Sequence, residues 1–272
     1  MYKLGFIGCG NMGRAMAYGA VKEGFAQASE VSFFDLNKEN VEKLEADGFV
    51  YKEENEDVAR ESEIVILAVK PDLYPRVMDD IRPCLDEKKI ILSITPAYSL
   101  RSLREQLGSD VKIVRGMPNT PSLVGQGMMG VAFDHFFEEA DKEKVYGFLK
   151  SFGKVIEVKE DHMVGVGSVS GSAPAFIYML IEAMADAAVS YGIPRKDAYT
   201  FAAQTVKGSA EMVLETGLHP GELKDQVTSP GGTTIAGCKA LEEVGFRAAI
   251  MAGMDASAKR FLEMEEETQN KK

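Results

Sequence analysis

The sequence predicts an α/β fold, with a doubly wound, mostly parallel sheet over residues 1–160 and an all-helical domain over 161–272, and three observations predict it. Short β-rich runs alternate strictly with helix-period runs through the first half, the order that builds a parallel sheet with helices on both faces. Beyond about Glu160 no strand-like run remains, and apolar residues recur at helical spacing. The first strand-like run ends in a glycine-rich turn that opens a helix, which gives the first domain its Rossmann-type character.

Taken in order, Lys3–Ile7, Glu30–Phe34, Ile64–Val69, Ile90–Ile94 and Lys112–Arg115 read as strands because β-branched and aromatic residues dominate them. Between them, Arg14–Glu23, Lys38–Asp47, Tyr74–Ile81 and Leu100–Leu107 carry the helical period. Met129–Phe133 and Val155–Val158 flank a charged helix near Glu138–Leu149 and are expected to extend the sheet. In the second half, helices are expected at Ala173–Ser190, Lys196–Thr216 and Phe246–Met264. The stripes Phe176-Leu180-Met184 and Phe201-Val206-Met212 suggest close packing on several sides, supplied by the chain's own core or by a partner subunit.

The turn after the first strand reads Gly8-x-Gly10-x-x-Gly13. In this setting Gly8 permits the tight turn, Gly10 lets backbone approach a pyrophosphate, and Gly13 lets the helix lie close to the strand. The helix N-terminus adds unpaired N–H groups and a partial positive charge. Asp35, at the end of the second strand, is placed either to accept from a ribose 2′-OH or to shape the turn before the next helix, with Lys38 near enough to offset its charge. NADH and NADPH both remain open as cofactors.

Ala68-Val69-Lys70-Pro71 ends a strand at the carboxyl edge of the sheet, where such folds bind ligands. Lys70 reads equally as a general acid, a phosphate contact or a surface lysine. Asn119, between Pro118 and Pro121, sits in a rigid loop that positions a ring or is simply structural. In the second half, Val227-Thr-Ser-Pro-Gly-Gly-Thr-Thr-Ile235 interrupts a helical region with small residues and restarts it on two threonines. That density of backbone N–H and hydroxyl groups predicts an anion cradle at a helix N-terminus.

Composition narrows the function. The net charge of −11 provides no basic field for nucleic acid or an acidic membrane surface, so any anion must be bound locally. Cys9, Cys84 and Cys238 form no CxxC or Cys/His spacing, which predicts neither a disulfide framework nor a metal site and suits a reducing cytoplasm. No targeting segment is expected at the N-terminus. Ala173–Val189 carries Glu182 and Asp186 and reads as too short and too charged to span a bilayer.

His135, His162 and His219 each read as surface histidines, and GxSxG, P-loop and HExxH patterns are missing from the sequence. The chemistry is therefore expected to belong to a cofactor. Alcohol oxidation needs a base for the hydroxyl proton. A protonated imine is already an electrophile, so the scarcity of candidate bases favours C=N reduction, with Lys70 the alternative base.

Gly8-x-Gly10-x-x-Gly13, Ala68-Val-Lys-Pro71, Met117-Pro-Asn-Thr-Pro121, Ser170-Gly-Ser-Ala-Pro174 and His219-Pro-Gly through Val227-Thr-Ser-Pro-Gly-Gly-Thr-Thr-Ile235 follow one another along essentially the whole chain. In that order and spacing they resemble the pyrroline-5-carboxylate reductases. The resemblance implies NADPH- or NADH-dependent reduction of 1-pyrroline-5-carboxylate to L-proline, the last step of proline biosynthesis. It implies a helical dimerisation domain and dimers that assemble into larger rings.

It further implies cofactor contacts at Ile7, Gly8, Cys9, Gly10, Asn11, Met12, Gly13, Asp35, Asn55, Ala68, Val69, Lys70 and Pro71, with Asn119 added from the rigid loop. The substrate would lie on Ser229, Gly231, Gly232 and Thr233, with Thr234 at the ring nitrogen as the catalytic residue and Glu160 on the nitrogen side. Three positions depart from the family pattern. Gln226 stands where an Asn often touches the cofactor, Ala173 replaces a Gly, and Gly167 replaces a small hydroxyl residue. The competing readings are a β-hydroxyacid dehydrogenase, which would carry a lysine in the helix Ala173–Ser190, and a non-catalytic dinucleotide sensor. That helix has no lysine.

Overall fold

Near-continuous apolar runs along the central strands dictate a sheet covered on both faces. The computed structural model describes residues 1–108 and 111–269. Its strands are β1 (Tyr2–Ile7), β2 (Val31–Phe34), β3 (Val50–Tyr51), β4 (Ser62–Leu67), β5 (Ile90–Ser93), β6 (Lys112–Met117), β7 (Gly127–Phe133) and β8 (Gly153–Glu157). They form one sheet in the order β3-β2-β1-β4-β5-β6-β7-β8. All pairs are parallel except β6 with β7. The chain from Met117 to Gly127 holds a 3-10 turn, Thr120–Val124, and no crossover helix, so β7 returns antiparallel.

The helices are α1 (Asn11–Lys22), α2 (Lys38–Ala46), α3 (Asn55–Glu61), α4 (Tyr74–Ile81), α5 (Leu100–Leu107), α6 (Glu139–Leu149), α7 (Met163–Val166), α8 (Ala173–Ser190), α9 (Arg195–Thr216), α10 (Pro220–Gln226), α11 (Thr233–Glu243) and α12 (Phe246–Gln269). Leu4, Phe6, Ile64, Ile66, Ile90 and Leu92 join Met16 of α1, Leu44 of α2 and Phe148 of α6 in one core. Their neighbours Ile7, Val65, Leu67 and Ile91 join Val58 of α3, Val77 of α4 and Leu103 of α5 in a second. The period of two thus sorts successive residues onto opposite faces. Strand order reverses about β1 and β4, which places the carboxyl ends of those strands at a ligand-binding crevice.

The predicted strands and helices of the first half are all present. Two elements went unpredicted: β3, with two residues, is too short to show a period, and α3 lies in the acid-rich run Glu53–Glu61.

The chain divides into two compact units, Met1–Ser172 with Ser257–Lys272, and Ala173–Ala256. In the first unit, α7 runs through a π-helical stretch, Gly167–Ser172. A Cβ at Gly167 would lie 2.5 Å from the Phe261 ring, so the departure from a hydroxyl residue there makes room for that ring. In the second unit, the buried apolar side chains among the described residues are Ala185, Ala198 and Ala202.

The two apolar stripes are accordingly not packed on several sides within the chain. Phe176, Leu180, Met184 and Val206 are half-buried, whereas Phe201 is 64% exposed and Met212 50%; beside the first stripe, Met179 is 68% exposed. So much exposed apolar surface over so small a core marks an association face.

The helical run Glu160–Ser190 is continuous over 31 residues, longer than the segment Ala173–Val189 read from the sequence, and holds an 18-residue window with a mean hydropathy of 1.5. Its length and composition would suffice to cross a bilayer, a test that core helices of water-soluble proteins also pass.

Candidate active site

The glycine turn bears out the geometry expected of it. Gly8 has φ +91°, a conformation suited to glycine, and a Cβ there would lie 2.8–2.9 Å from Val69 and the Ala68 backbone. A Cβ on Gly13 would lie 2.4 Å from the Gly8 carbonyl oxygen, so this glycine sets the close approach of α1 to β1. Gly10 differs: a Cβ there would meet nothing within 4 Å. Open space at the N-terminus of α1 is what a pyrophosphate needs.

Asp35 does two things. Its Oδ2 accepts from the Cys9 backbone N–H, and its Oδ1 accepts from the Asn37 N–H at 2.7 Å, an Asx turn leading into α2. The carboxylate therefore braces the glycine loop and shapes the turn at once. Arg14 of α1 donates to Asn40 at 2.9 Å and to Asn11 at 3.1 Å, linking the start of α1 to α2. Cys9 is fully buried, and burial followed by the charge of Asp35 pushes its thiol far above the ordinary range.

A cleft of about 590 Å³ opens on these groups. Of the predicted cofactor residues, Gly8, Gly10, Asp35, Asn55, Ala68, Val69 and Lys70 line it together. Asn11, Met12 and Gly13 form the first turn of α1, and Ile7 and Cys9 are buried beneath. Pro71 starts a 3-10 turn and lines a neighbouring cleft. Phe34, Leu36, Leu73, Arg76 and Val77, with the polar Asn37, Asn40 and Asp72, also line the wall and were not anticipated. Leu36 carried the one legible signal, an apolar residue directly after the strand-end acid, and it is 79% exposed.

The residues present fit a dinucleotide. Besides the space over Gly10, Asn55 has a side-chain oxygen, Oδ1, that is buried from water and without a hydrogen-bond partner. An orphan acceptor is costly unless a ligand supplies a donor.

Asn119 is differently employed. Its Oδ1 accepts from the Met128 N–H at 2.9 Å, and its Nδ2 donates to the Ser170 carbonyl at 3.1 Å, within the π-helical stretch. Both ends of the carboxamide are committed, so of the two readings of this loop the structure favours the structural one.

Glu160 begins the helical run. Its Oε1 accepts from the Leu100 N–H at 2.5 Å, at the start of α5, and faces Arg115 Nη1 at 3.3 Å. Arg115 is buried and also pairs with Glu265 of α12 and with the Pro96 carbonyl at 2.9 Å. One carboxylate oxygen of Glu160 is thus fixed. The residue lines an open cleft with Ser99, Lys159 and Asp161.

In the helical unit, Thr228–Gly232 forms the turn between α10 and α11. Gly231 has φ +71°, and the Gly232 N–H donates to the Ser229 carbonyl at 3.0 Å. Gly232 then serves as the extended N-cap residue of α11, without a side-chain cap. Position alone leaves the Thr233, Thr234 and Ile235 amides without intrahelical acceptors. The turn expected to cradle an anion differs from that expectation in one respect: the Gly232 amide is already bonded, so the helix N-terminal amides left open begin at Thr233. Ser229, Thr233 and Thr234 are exposed.

Comparison with known proteins gives a consistent answer. The family model described as pyrroline-5-carboxylate reductase dimerisation matches residues 160–264, and that described as NADP oxidoreductase, coenzyme F420-dependent, matches residues 3–97. The pyrroline-5-carboxylate reductase of Escherichia coli (strain K12) is 44% identical over 93% of this chain and 94% of its own. That of Glycine max is 40% identical over 97% and 96%. The crystal structure of Plasmodium falciparum pyrroline carboxylate reductase with NADP bound superposes with a TM-score of 0.89 at 34% identity, covering 97% of this chain and 98% of the other. Similarity along nearly the full length, on a parallel sheet whose first strand runs into a glycine turn and a helix, leads to one assignment: the chain belongs to the pyrroline-5-carboxylate reductase family.

Proposed function

We propose that the protein reduces 1-pyrroline-5-carboxylate to L-proline with NADPH or NADH, the closing step of proline biosynthesis. The observation that carries this reading is the full-length similarity to reductases of that name, joined to a glycine loop in which Gly8 makes the tight turn, Gly13 sets the close helix approach and open space lies over Gly10. The cofactor would supply a hydride to C5 of the cyclic imine.

The chain's own part is to bind and orient. Gly8 to Gly13 and the N-terminus of α1 would hold the pyrophosphate, Asp35 and Asn55 the adenosine half, and Ala68 to Pro71 the backbone edge beside it. The substrate carboxylate would rest on the Thr233 and Thr234 amides and Ser229 Oγ at the start of α11, where the helix end favours an anion. Thr234 Oγ1 would hydrogen-bond the ring nitrogen. Glu160, with Oε1 held by Leu100 and Arg115, would offer its second oxygen to the nitrogen side. Alignment is the main catalytic contribution, since proximity and orientation supply about 7–11 kcal/mol in favourable cases.

The helical unit self-associates, as the matched dimerisation model indicates. We assign the apolar face of α8 and α9 to a second copy of the chain rather than to lipid, and infer dimers that assemble further into a ring. The free Cys9, Cys84 and Cys238 suit a cytoplasmic setting. The test is loss of reduced-nicotinamide absorbance on adding pyrroline-5-carboxylate, with each cofactor in turn. Consumption that yields proline is expected, and cofactor binding without turnover would support the sensor reading.

A further inference from the structure

Asn55 stands at the first position of α3 and Asp80 near the end of α4, two helices on the same face of the sheet. Asn55 Nδ2 donates to Asp80 Oδ2 at 2.9 Å. An ionised carboxylate accepts hydrogen bonds and cannot donate, so this bond settles which end of the carboxamide is nitrogen. The other end, Oδ1, is consequently an acceptor, and it is the atom left buried and without a partner on a residue that lines the cofactor cleft.

The donor that completes it is constrained by the cleft. With the pyrophosphate at the start of α1 and the adenosine ribose at Asp35, the space beyond the ribose on the β2 side receives the adenine. Phe34, Leu36, Val69, Leu73 and Val77 line the same cleft, apolar walls suited to the faces of a flat base. Leu36 is an exposed apolar side chain that a base would cover. At its edge, adenine presents an exocyclic amine, a donor.

We propose that Asp80 is a positioning residue that locks the Asn55 carboxamide with its oxygen toward the cofactor, so that Asn55 Oδ1 accepts from the adenine amine and the enzyme selects adenine dinucleotides. This rests on the dinucleotide reading of the cleft. It adds a second selection, by base identity, to the one at the ribose. Hypoxanthine carries a carbonyl where adenine carries the amine, and against Asn55 Oδ1 two acceptors would meet.

The experiment is a fluorescence titration of the purified enzyme with NADPH and with its counterpart in which hypoxanthine replaces adenine. The wild-type protein is expected to bind NADPH about tenfold or more tightly than the hypoxanthine form, because a site built around a hydrogen bond rejects an analogue lacking the donor. In Asp80→Asn the neighbouring amide both donates and accepts, so Asn55 can turn over and present its NH₂ to hypoxanthine. The preference is then expected to fall to about threefold or less, or to reverse, with an unchanged melting temperature.

Asn55→Leu, which has no acceptor, is expected to bind both dinucleotides equally and serves if Asp80→Asn fails to fold. Equal affinities in the wild-type protein overturn the adenine assignment, and an unaltered preference in folded Asp80→Asn overturns the role of Asp80. Failure of the wild-type protein to bind NADPH, its hypoxanthine form and NADH alike overturns instead the reading on which the inference rests.

Discussion

The carboxylate of Asp35 accepts from the backbone N–H of Cys9, tying the end of β2 to the middle of the glycine loop. Beyond the ribose contact and the turn before α2, the two readings its position allows, Asp35 is therefore also a brace for the glycine loop.

Two substitutions separate these roles. Asp35→Asn removes the charge and keeps an acceptor for Cys9, so it is expected to raise the kcat/KM ratio of NADPH to NADH by about tenfold. Asp35→Ala removes the brace as well and is expected to raise KM for both cofactors. Steady-state kinetics with each cofactor decide; an unchanged ratio in Asp35→Asn would mean that the side chain does not face the ribose.

Gly10 and Gly13 make opposite predictions although they belong to one motif. Gly13→Ala drives a Cβ into the Gly8 carbonyl and is expected to destabilise the fold by about 1–3 kcal/mol. Gly10→Ala meets open space, so its stability cost is expected to stay under about 1 kcal/mol while dinucleotide affinity falls sharply. Chemical denaturation paired with NADPH titration checks both, and equal stability losses would contradict the separation.

Thr234 is the residue whose side chain is assigned to the reacting nitrogen. Thr234→Ala is expected to lower kcat by about tenfold, the worth of one hydrogen bond formed in the transition state. Thr234→Ser should keep most of the activity. An unaltered kcat/KM in Thr234→Ala would remove the residue from the mechanism.

Met179 and Phe201 are more than half exposed in a unit whose buried apolar side chains, among the described residues, are three alanines. Placing a charge there, in Met179→Glu or Phe201→Glu, is expected to weaken self-association by about tenfold or more, because a desolvated unpaired carboxylate costs several kcal/mol. Sedimentation velocity over a concentration series would register the shift toward monomer. No change for either variant would place the association face elsewhere on the unit.

Much of the site was legible because its parts are local. The turn at Gly8 to Gly13 and the cradle before Thr233 each lie within a few residues, and backbone geometry there follows from glycine and proline placement. The roles of Asn119 and Glu160 were not legible, since their partners Met128, Ser170, Leu100 and Arg115 are brought to them by strand pairing and helix packing. The same holds for Asp80, 25 residues from Asn55 along the chain.

The sequence by itself determined the alternation of strands and helices apart from β3 and α3, the mostly parallel sheet and the two glycine-bearing turns that open helices, because periodicity and turn chemistry act over short stretches. Tertiary structure decided which carboxylate braces the glycine loop, which asparagine keeps an unpaired oxygen in the cleft and which amide of the SPGG turn is already bonded. Those are questions of which donor meets which acceptor, and only packing brings the two together.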